Sequence, residues 1–274
     1  MKSELVVKDN ALINASYNLE LTEQRLILLA IVNARETGQG ITADSKLEIR
    51  ANDYATHFNV TNEAAYIALK EAVNNLFERQ FSFKEAHKDT GKIGIVRSRW
   101  VSRIKYVDEL AVLEVTFSPD VVPLITRLEK NFTSYQLEQV AGLTSKYAIR
   151  LYELLISWRA VGKCYYELGQ LRDALGIGKN EYAQMGHFKS RVLDASLKQI
   201  KDHTDIEASY TQKKSGRVII GFNFKFTVKQ KAKPKDKDKD KTERDQNTID
   251  LFSKMTDKQI ATFSHKLANM PELG

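Results

Sequence analysis

The sequence predicts an α+β fold in which one succession of elements is used twice. Three observations predict it. An order of long helix, short strand, short helix, long helix and β-hairpin fits residues 144–226, and the same order fits residues 22–117. Details repeat too, since Tyr54 and Phe58 occupy the first short helix as Leu171 and Leu175 occupy the second. At 274 residues the chain is long enough for two domains, each with its own core. That order is the winged-helix arrangement, so the expectation is two tandem winged-helix domains, then a charged flexible linker and a short C-terminal helix. The expected divisions are 1–133, 134–228 and 229–274.

In the first half Leu5, Val6 and Val7 read as extended, with Leu12 and Ile13 apolar beyond them. A helix opens at Thr22, an N-cap without an acidic partner because Arg25 stands three positions on. Leu26 to Val32 are apolar on every side, the pattern of a helix at a domain centre. Gly38 and Gly40 end the connection after it. Leu47 and Ile49 mark a short strand, Asn52 caps a short helix through Phe58, and Thr61 or Asn62 caps a long helix to Arg79. That long helix buries Tyr66, Leu69, Val73, Leu76 and Phe77 and turns Ala64, Ala68, Glu71, Asn75 and Arg79 outward. Three β-rich runs follow over 81–84, 93–107 and 110–117, with turns at 89–91 and 108–109. Ser118 and Pro119 cap a further helix, and the two domains join near 131–142.

The second half opens on an amphipathic helix over 144–158, followed by a strand over 164–168 and a short helix over 170–175 closed by Gly176. A second long helix covers 187–202. Two β-rich runs over 206–212 and 217–226 enclose the basic tip Lys213-Lys-Ser-Gly216, which is the wing. Leu5, Leu12, Leu19 and Leu26 recur every seven residues, but Asn10, Asn14 and Asn18 lie between them and the first stretch is extended. These leucines are expected to pack inside the first domain rather than in a coiled-coil seam.

Composition excludes more than it assigns. Apolar residues make up 42% and charged residues 28%, ordinary for a globular protein. The longest apolar run is seven residues, far short of the ~20 that span a bilayer. No secretory leader opens the chain and Cys164 is its single cysteine, so a reducing cytoplasmic setting without disulfide or cysteine-metal site is expected. The net charge is +7, but residues 229–244 hold eight Lys/Arg against four Asp/Glu, so residues 1–228 carry only +4. Where the cations sit matters more than their total. The linker alternates Lys and Asp after Pro234 and is expected to be solvated and disordered. Beyond it Thr256 could cap a helix over 257–268, docking on the body or on a partner.

The cations fall into two groups. A 100° step per residue along 187–202 places Val192, Leu193, Ser196 and Ile200 inward, with Phe188 at the edge, and His187, Ser190, Arg191, Asp194, Lys198 and Lys201 outward. Such a face suits a major groove, with Arg191 as the base contact and Lys189 reaching the backbone. Lys213, Lys214 and Arg217 on the wing extend it onto phosphates. The second group is Lys92, Arg97, Arg99, Arg103 and Lys105, with no acid among them. The last four share strand parity and so one face if no bulge intervenes, where they would hold phosphates.

Enzyme signatures are mostly absent. Gly176-Ile-Gly-Lys179 lacks the earlier glycine and the hydroxyl of a phosphate-binding loop. The five histidines never fall at metal-ligand spacing, and Tyr165-Tyr166 lack the metal ligands of a strand-transfer site. No catalytic residue, cofactor or metal is expected.

The chain resembles the iteron-binding replication initiators of theta-type plasmids. The residues that carry the likeness are Val6-Val-Lys-Asp-Asn10 with Leu12, Leu21-Thr-Glu-Gln-Arg-Leu-Ile-Leu28, Ser145-Lys-Tyr-Ala-Ile-Arg-Leu-Tyr-Glu-Leu154, Leu171-Arg-Asp-Ala-Leu-Gly176 and Phe188-Lys-Ser-Arg-Val-Leu193. Ile200, Thr204-Asp205 and the strand over 222–226 complete it. The resemblance implies a bacterial protein at the plasmid and nucleoid that binds double-stranded origin DNA with direct repeats. It implies origin melting with the host initiator, recruitment of the replicative helicase, and autorepression as a homodimer. The second domain then does most base reading, while the first holds phosphates and mediates dimerisation. Two other functions fit parts of the pattern: a winged-helix transcriptional repressor, or a relaxase-like nicking enzyme.

Overall fold

The first of the two repeated units forms around α2 (Leu21–Thr37), in the computed structural model that describes residues 4–40, 42, 44–126 and 131–229. Leu26 to Val32 are buried on all sides, as their unbroken apolar run requires. The helix starts one residue earlier than Thr22 suggests. Glu20 is its cap, and the Glu23 carboxylate accepts the Glu20 N–H at 2.7 Å, closing a reciprocal box with acids at both ends. Gly38, at φ +69°, ends it in the left-handed region.

Strand β3 (Leu47–Arg50), α3 (Ala51–Phe58) and α4 (Asn62–Leu76) follow in the expected order. Arg50 rather than Asn52 precedes α3, and Thr61 caps α4 by accepting the Ala64 N–H at 3.1 Å. Ahead of them lie β1 (Leu5–Asp9), the single turn α1 (Asn10–Ile13) and β2 (Ser16–Tyr17). Leu5, Leu12 and Leu26 therefore sit on three different elements and Leu19 in a connection; Leu12, Leu19 and Leu26 are buried in the core.

The β-run expected over 93–107 is two strands. Trp100, fully buried between Tyr17 and Phe81 at centroid distances of 5.0 Å each, divides β5 (Ile93–Arg99) from β6 (Val101–Val107). Driving that indole into the core turns the chain from one sheet to another. β5 pairs with β4 (Gln80–Ala86) in the sheet β2-β4-β5. β6 pairs with β7 (Val112–Phe117) in the sheet β3-β7-β6. The hairpin β4–β5 is thus an insertion, and β6–β7 is the first wing. Pro119 lies in the turn before α5 (Val121–Thr126) rather than at its first position.

The stretch expected to join the domains is itself structured. β8 (Phe132–Gln136) pairs antiparallel with β1 from Leu5↔Gln136 to Asp9↔Phe132, and α6 (Glu138–Ala141) follows. A division between 133 and 134 falls inside β8. The described residues up to Lys229 pack as one compact unit.

The second repeat comprises α7 (Lys146–Ile156), β9 (Lys163–Glu167) and α8 (Leu168–Ala174). A continuous helical run follows, made of α9 (Met185–His187), a π-helical turn over Phe188–Asp194, and α10 (Ala195–His203). The wing β10 (Ile206–Ser215) and β11 (Val218–Val228) closes it. α7 is shorter than 144–158 and is buried on every side rather than amphipathic, Arg150 and Glu153 included. The sheet order β9-β11-β10 reproduces β3-β7-β6, so the duplication holds at the level of strand topology. The charged linker over 230–244 and the helix expected over 257–268 lie outside the described residues. Among the described residues no helix is long and apolar enough to cross a membrane.

Candidate nucleic-acid interface

The outward face of the second recognition helix forms because five side chains hold its other face down. Phe188, Val192, Leu193, Ser196 and Ile200 are buried, Phe188 fully so rather than at the edge, with its ring 5.9 Å from that of Phe222. His187, Ser190, Arg191, Asp194, Lys198 and Lys201 are exposed, and Lys189 is half-buried on the flank. The loop leading into the helix is clamped from below. Arg172 lies over the Phe188 ring at 5.4 Å and donates to the carbonyls of Gly178, Glu181 and Tyr182 at 3.3, 2.5 and 3.2 Å.

Two outward charges are already engaged. Tyr210 donates to Asp194 at 2.8 Å, and Lys201 pairs with Glu207 at 2.5 Å. That pair holds the Glu207 carboxyl below its ordinary value, through the Lys201 hydrogen bond first. Lys189, Arg191 and Lys198 make no ion pair among the described residues, and His187 stands beside them. Ser190 donates to the Gly186 carbonyl at 3.0 Å, which fixes its hydroxyl and leaves the oxygen free to accept. All of these except Lys198 and Lys201 lie at or within the π-helical turn, a geometry that gathers at functional positions.

The second wing adds Lys213, Lys214 and Arg217, all exposed. Its tip turns at Gly216, φ +60°, and a bulge between Lys213 and Lys214 re-aims the end of the strand. The Lys213 ammonium stands 4.6 Å over the Tyr165 ring. Tyr165 in turn lies across Gly221, where an added Cβ would meet its hydroxyl at 2.6 Å. Tyr166 is buried and donates to the Leu154 carbonyl at 3.3 Å, whereas Tyr165 is exposed.

The first-half cations do not share a face. Arg97 and Arg99 belong to the inserted hairpin, while Arg103 and Lys105 belong to the first wing, with the Trp100 break and a register shift between them. Acids brought from elsewhere neutralise three of the five. Arg99 bonds to Glu78 at 3.0 Å and stacks on Phe77. Arg103 and Lys105 share Glu114 at 3.0 and 3.4 Å, and the Arg103 hydrogen bond leads in holding that carboxyl below its usual value. Lys92 and Arg97 stand exposed without an ion pair among the described residues.

The two wings differ in sign. The first turns through Asp108, Glu109 and Leu110, the leucine 68% exposed, where the second has Lys213 to Arg217. Tyr66 donates to Asp108, and Lys70 pairs with it at 3.6 Å. The outward face of α4 carries Ala64, Ile67, Glu71 and Asn75; Ala68, expected there, is buried.

One constellation escaped the sequence reading. Glu153, 0% exposed, accepts from Lys8 at 2.7 Å, Arg150 at 2.7 Å, Tyr135 at 2.6 Å and Tyr17 at 3.4 Å. Burial alone would raise its pKa, but Lys8 and Arg150 outweigh it and hold the carboxyl at about 2. Burial lowers the Lys8 pKa and raises those of Tyr17 and Tyr135. The sequence signals were an Arg and a Glu three apart on a helix whose one other charge is Lys146 at its start, and a Lys8 at the end of an apolar run.

Among the described residues no group of His, Cys, Asp or Glu could hold a metal ion. Cys164 is buried and its thiol is pushed up to about 12.

Comparison with known proteins agrees with this geometry. Residues 5–156 match the family model described as "Initiator Replication protein, WH1", and residues 167–226 match "Initiator Rep protein, WH2". An uncharacterized 27.6 kDa protein of Escherichia coli is 25% identical over 222 residues, 78% of this chain and 92% of its own length. A replication initiation protein of Escherichia coli is 31% identical over 156 residues, which is 56% of this chain. The match spans 47% of that relative's length. Among solved structures, the Pi initiator protein in complex with iteron DNA has the same fold, with a TM-score of 0.67 at 22% identity, covering 84% of this chain and 100% of that one.

Proposed function

The chain belongs to the family of initiator replication proteins, and on that premise we propose that it starts plasmid replication by binding directly repeated origin DNA, the iteron, as a two-domain reader. α4 and the helical run over 185–203 enter successive major grooves about one turn, ~10.5 bp, apart. The observation that carries this reading is the second recognition helix. Its cations Lys189, Arg191 and Lys198 make no ion pair among the described residues and stand on a helix that Arg172 and Phe188 hold from below, beside a wing with three more.

Base reading belongs to the second domain, with Arg191 as the direct contact. The first contributes less, because its recognition face is nearly neutral, its wing tip is acidic and three of its five clustered cations are engaged. Lys92 and Arg97 are the phosphate contacts there. The protein acts in the cytoplasm by assembly and not by catalysis. It helps the host initiator melt the origin, recruits the replicative helicase and represses its own gene as a homodimer.

The test is to bind purified full-length protein to sheared DNA of its own replicon at physiological salt and to sequence what is retained. A tandem-repeat tract is the expected result. A lone inverted repeat beside its promoter would make the protein a repressor instead. A covalent adduct after incubating supercoiled origin DNA with magnesium would make it a nicking enzyme.

A further inference from the structure

The buried charges between the two halves ask for a reason beyond stability. A buried ion pair is weak evidence of stabilisation, since well-packed apolar residues of the same volume do as well or better. What a guanidinium supplies and a leucine cannot is direction: a planar fork accepts partners only along fixed lines.

Arg150, 1% exposed, uses the whole fork. Its Nη1 donates to Tyr17 Oη at 2.6 Å and to Glu153 at 2.7 Å. Its Nη2 donates to the carbonyls of Ile13, the last residue of α1, and Ala15, in the connection to β2, at 2.8 and 3.0 Å. Nε and Nη2 also reach the Ala174 carbonyl at 3.0 and 2.9 Å, at the end of α8. One side chain on α7 thus fastens the first half to the short helix that leads into the second recognition helix. Glu153 doubles the bond by holding Lys8 on β1 and Tyr135 on β8. Around it, Arg25 of α2 donates to the carbonyls of Ala141 and Leu143, and Lys146 to Asn18 and Glu20.

We propose that Arg150, with Glu153 and Tyr17, is a positioning centre that fixes the distance and rotational phase between the two recognition helices, and so sets the groove-to-groove spacing the protein accepts in its DNA. This rests on the two-groove reading above. One inserted base pair turns the second groove by ~34° about the duplex axis. A reader with its two helices held in register must then release one groove, whereas one with a loose junction follows the shift.

Two measurements on the full chain separate this inference from the reading beneath it. With buried Cys164 replaced by serine in every background, spin labels can be placed on Ala64→Cys of α4 and Lys198→Cys of α10. Without DNA, the inter-label distance distribution is expected to be narrow in the wild-type background and broadened in Arg150→Lys and in Tyr17→Phe. Tyr17→Phe keeps the ring and removes only the hydroxyl, so it carries the test if Arg150→Lys fails to fold. A folded variant, by circular dichroism, that keeps the narrow distribution overturns the proposal.

The second measurement uses the duplex retained from the protein's own replicon, with one or two base pairs inserted between its two footprinted grooves. Wild type is expected to lose affinity about tenfold or more, the loss of one groove's contacts, and the variants about threefold or less. Equal losses in wild type and variants overturn the proposal. A wild type indifferent to the insertions sinks the two-groove reading instead, and the spin-label result still decides whether the junction is rigid.

Discussion

A Cβ on Gly176 would stand 2.1 Å from the carbonyl oxygen of Tyr17, so the two halves meet there with room for a hydrogen and nothing larger. Gly176 also holds φ +70°, a conformation that side chains resist by ~1–2 kcal/mol. Gly176→Ala is therefore expected to destabilise the protein by more than that figure, since backbone on both sides must move. Urea unfolding checks it: the midpoint falls while the slope stays constant. An unchanged midpoint would show that the halves do not meet at this glycine.

Glu153→Gln leaves Lys8 and Arg150 buried without a counter-charge. Removing one member of a buried pair costs ~3–5 kcal/mol, and that loss is expected here in equilibrium denaturation. A cost below ~1 kcal/mol, the range of exposed pairs, would mean that water reaches the junction.

The same carboxylate sets an acid limit. Its pKa in the folded chain is about 2, below the ordinary 4.5, so the unfolded state binds the proton more readily. Its contribution is complete above the unfolded value and is lost as pH falls through 4.5 toward 2. Thermal melts of the wild type should show a Tm that declines across that window, and Glu153→Gln should flatten the decline.

Arg191→Ala is expected to weaken binding to the origin repeat by ~1–3 kcal/mol while leaving a scrambled duplex nearly unaffected. Fluorescence anisotropy on the two duplexes separates the outcomes. Equal losses on both would make Arg191 a phosphate contact.

Salt titration tells the first-half cations apart. Arg97→Ala should reduce the slope of log K against log salt by about 1, as should Lys214→Ala in the wing. Arg103→Ala should change it less, because Glu114 already neutralises that guanidinium in the free protein. Equal changes for Arg97 and Arg103 would show that DNA displaces Glu114.

What the sequence made legible was local. The order of elements, the closing glycine Gly176 and the outward face of residues 187–201 follow from periodicity and turn chemistry within a few residues, whereas Gly38, read as part of the connection, caps α2 itself. What it hid was made by distance. The strand over 93–107 looked continuous because a buried tryptophan in a β-run resembles any other strand residue. Only the pairing of β5 with β4 and of β6 with β7 shows that Trp100 ends one sheet and begins another. The cluster without acids looked uncompensated because Glu114 arrives from the opposite strand. Arg150 and Glu153 form an i,i+3 pair, but the Lys8 that completes their buried cluster lies 145 residues away from Glu153 in sequence, beyond the reach of any local pattern.

One wing ends in carboxylates and the other in ammonium and guanidinium groups, so the chain is an arrow. If the second wing holds phosphates as proposed, a chain turned end for end on a duplex would set its anionic tip against the rail that the cationic tip would otherwise grip. Copies on direct repeats all point the same way, and the row they form has a leading and a trailing end. Copies on an inverted repeat point against each other and the arrows cancel. On the proposed direct repeats, a row of these chains would mark a heading along the duplex as well as a place on it.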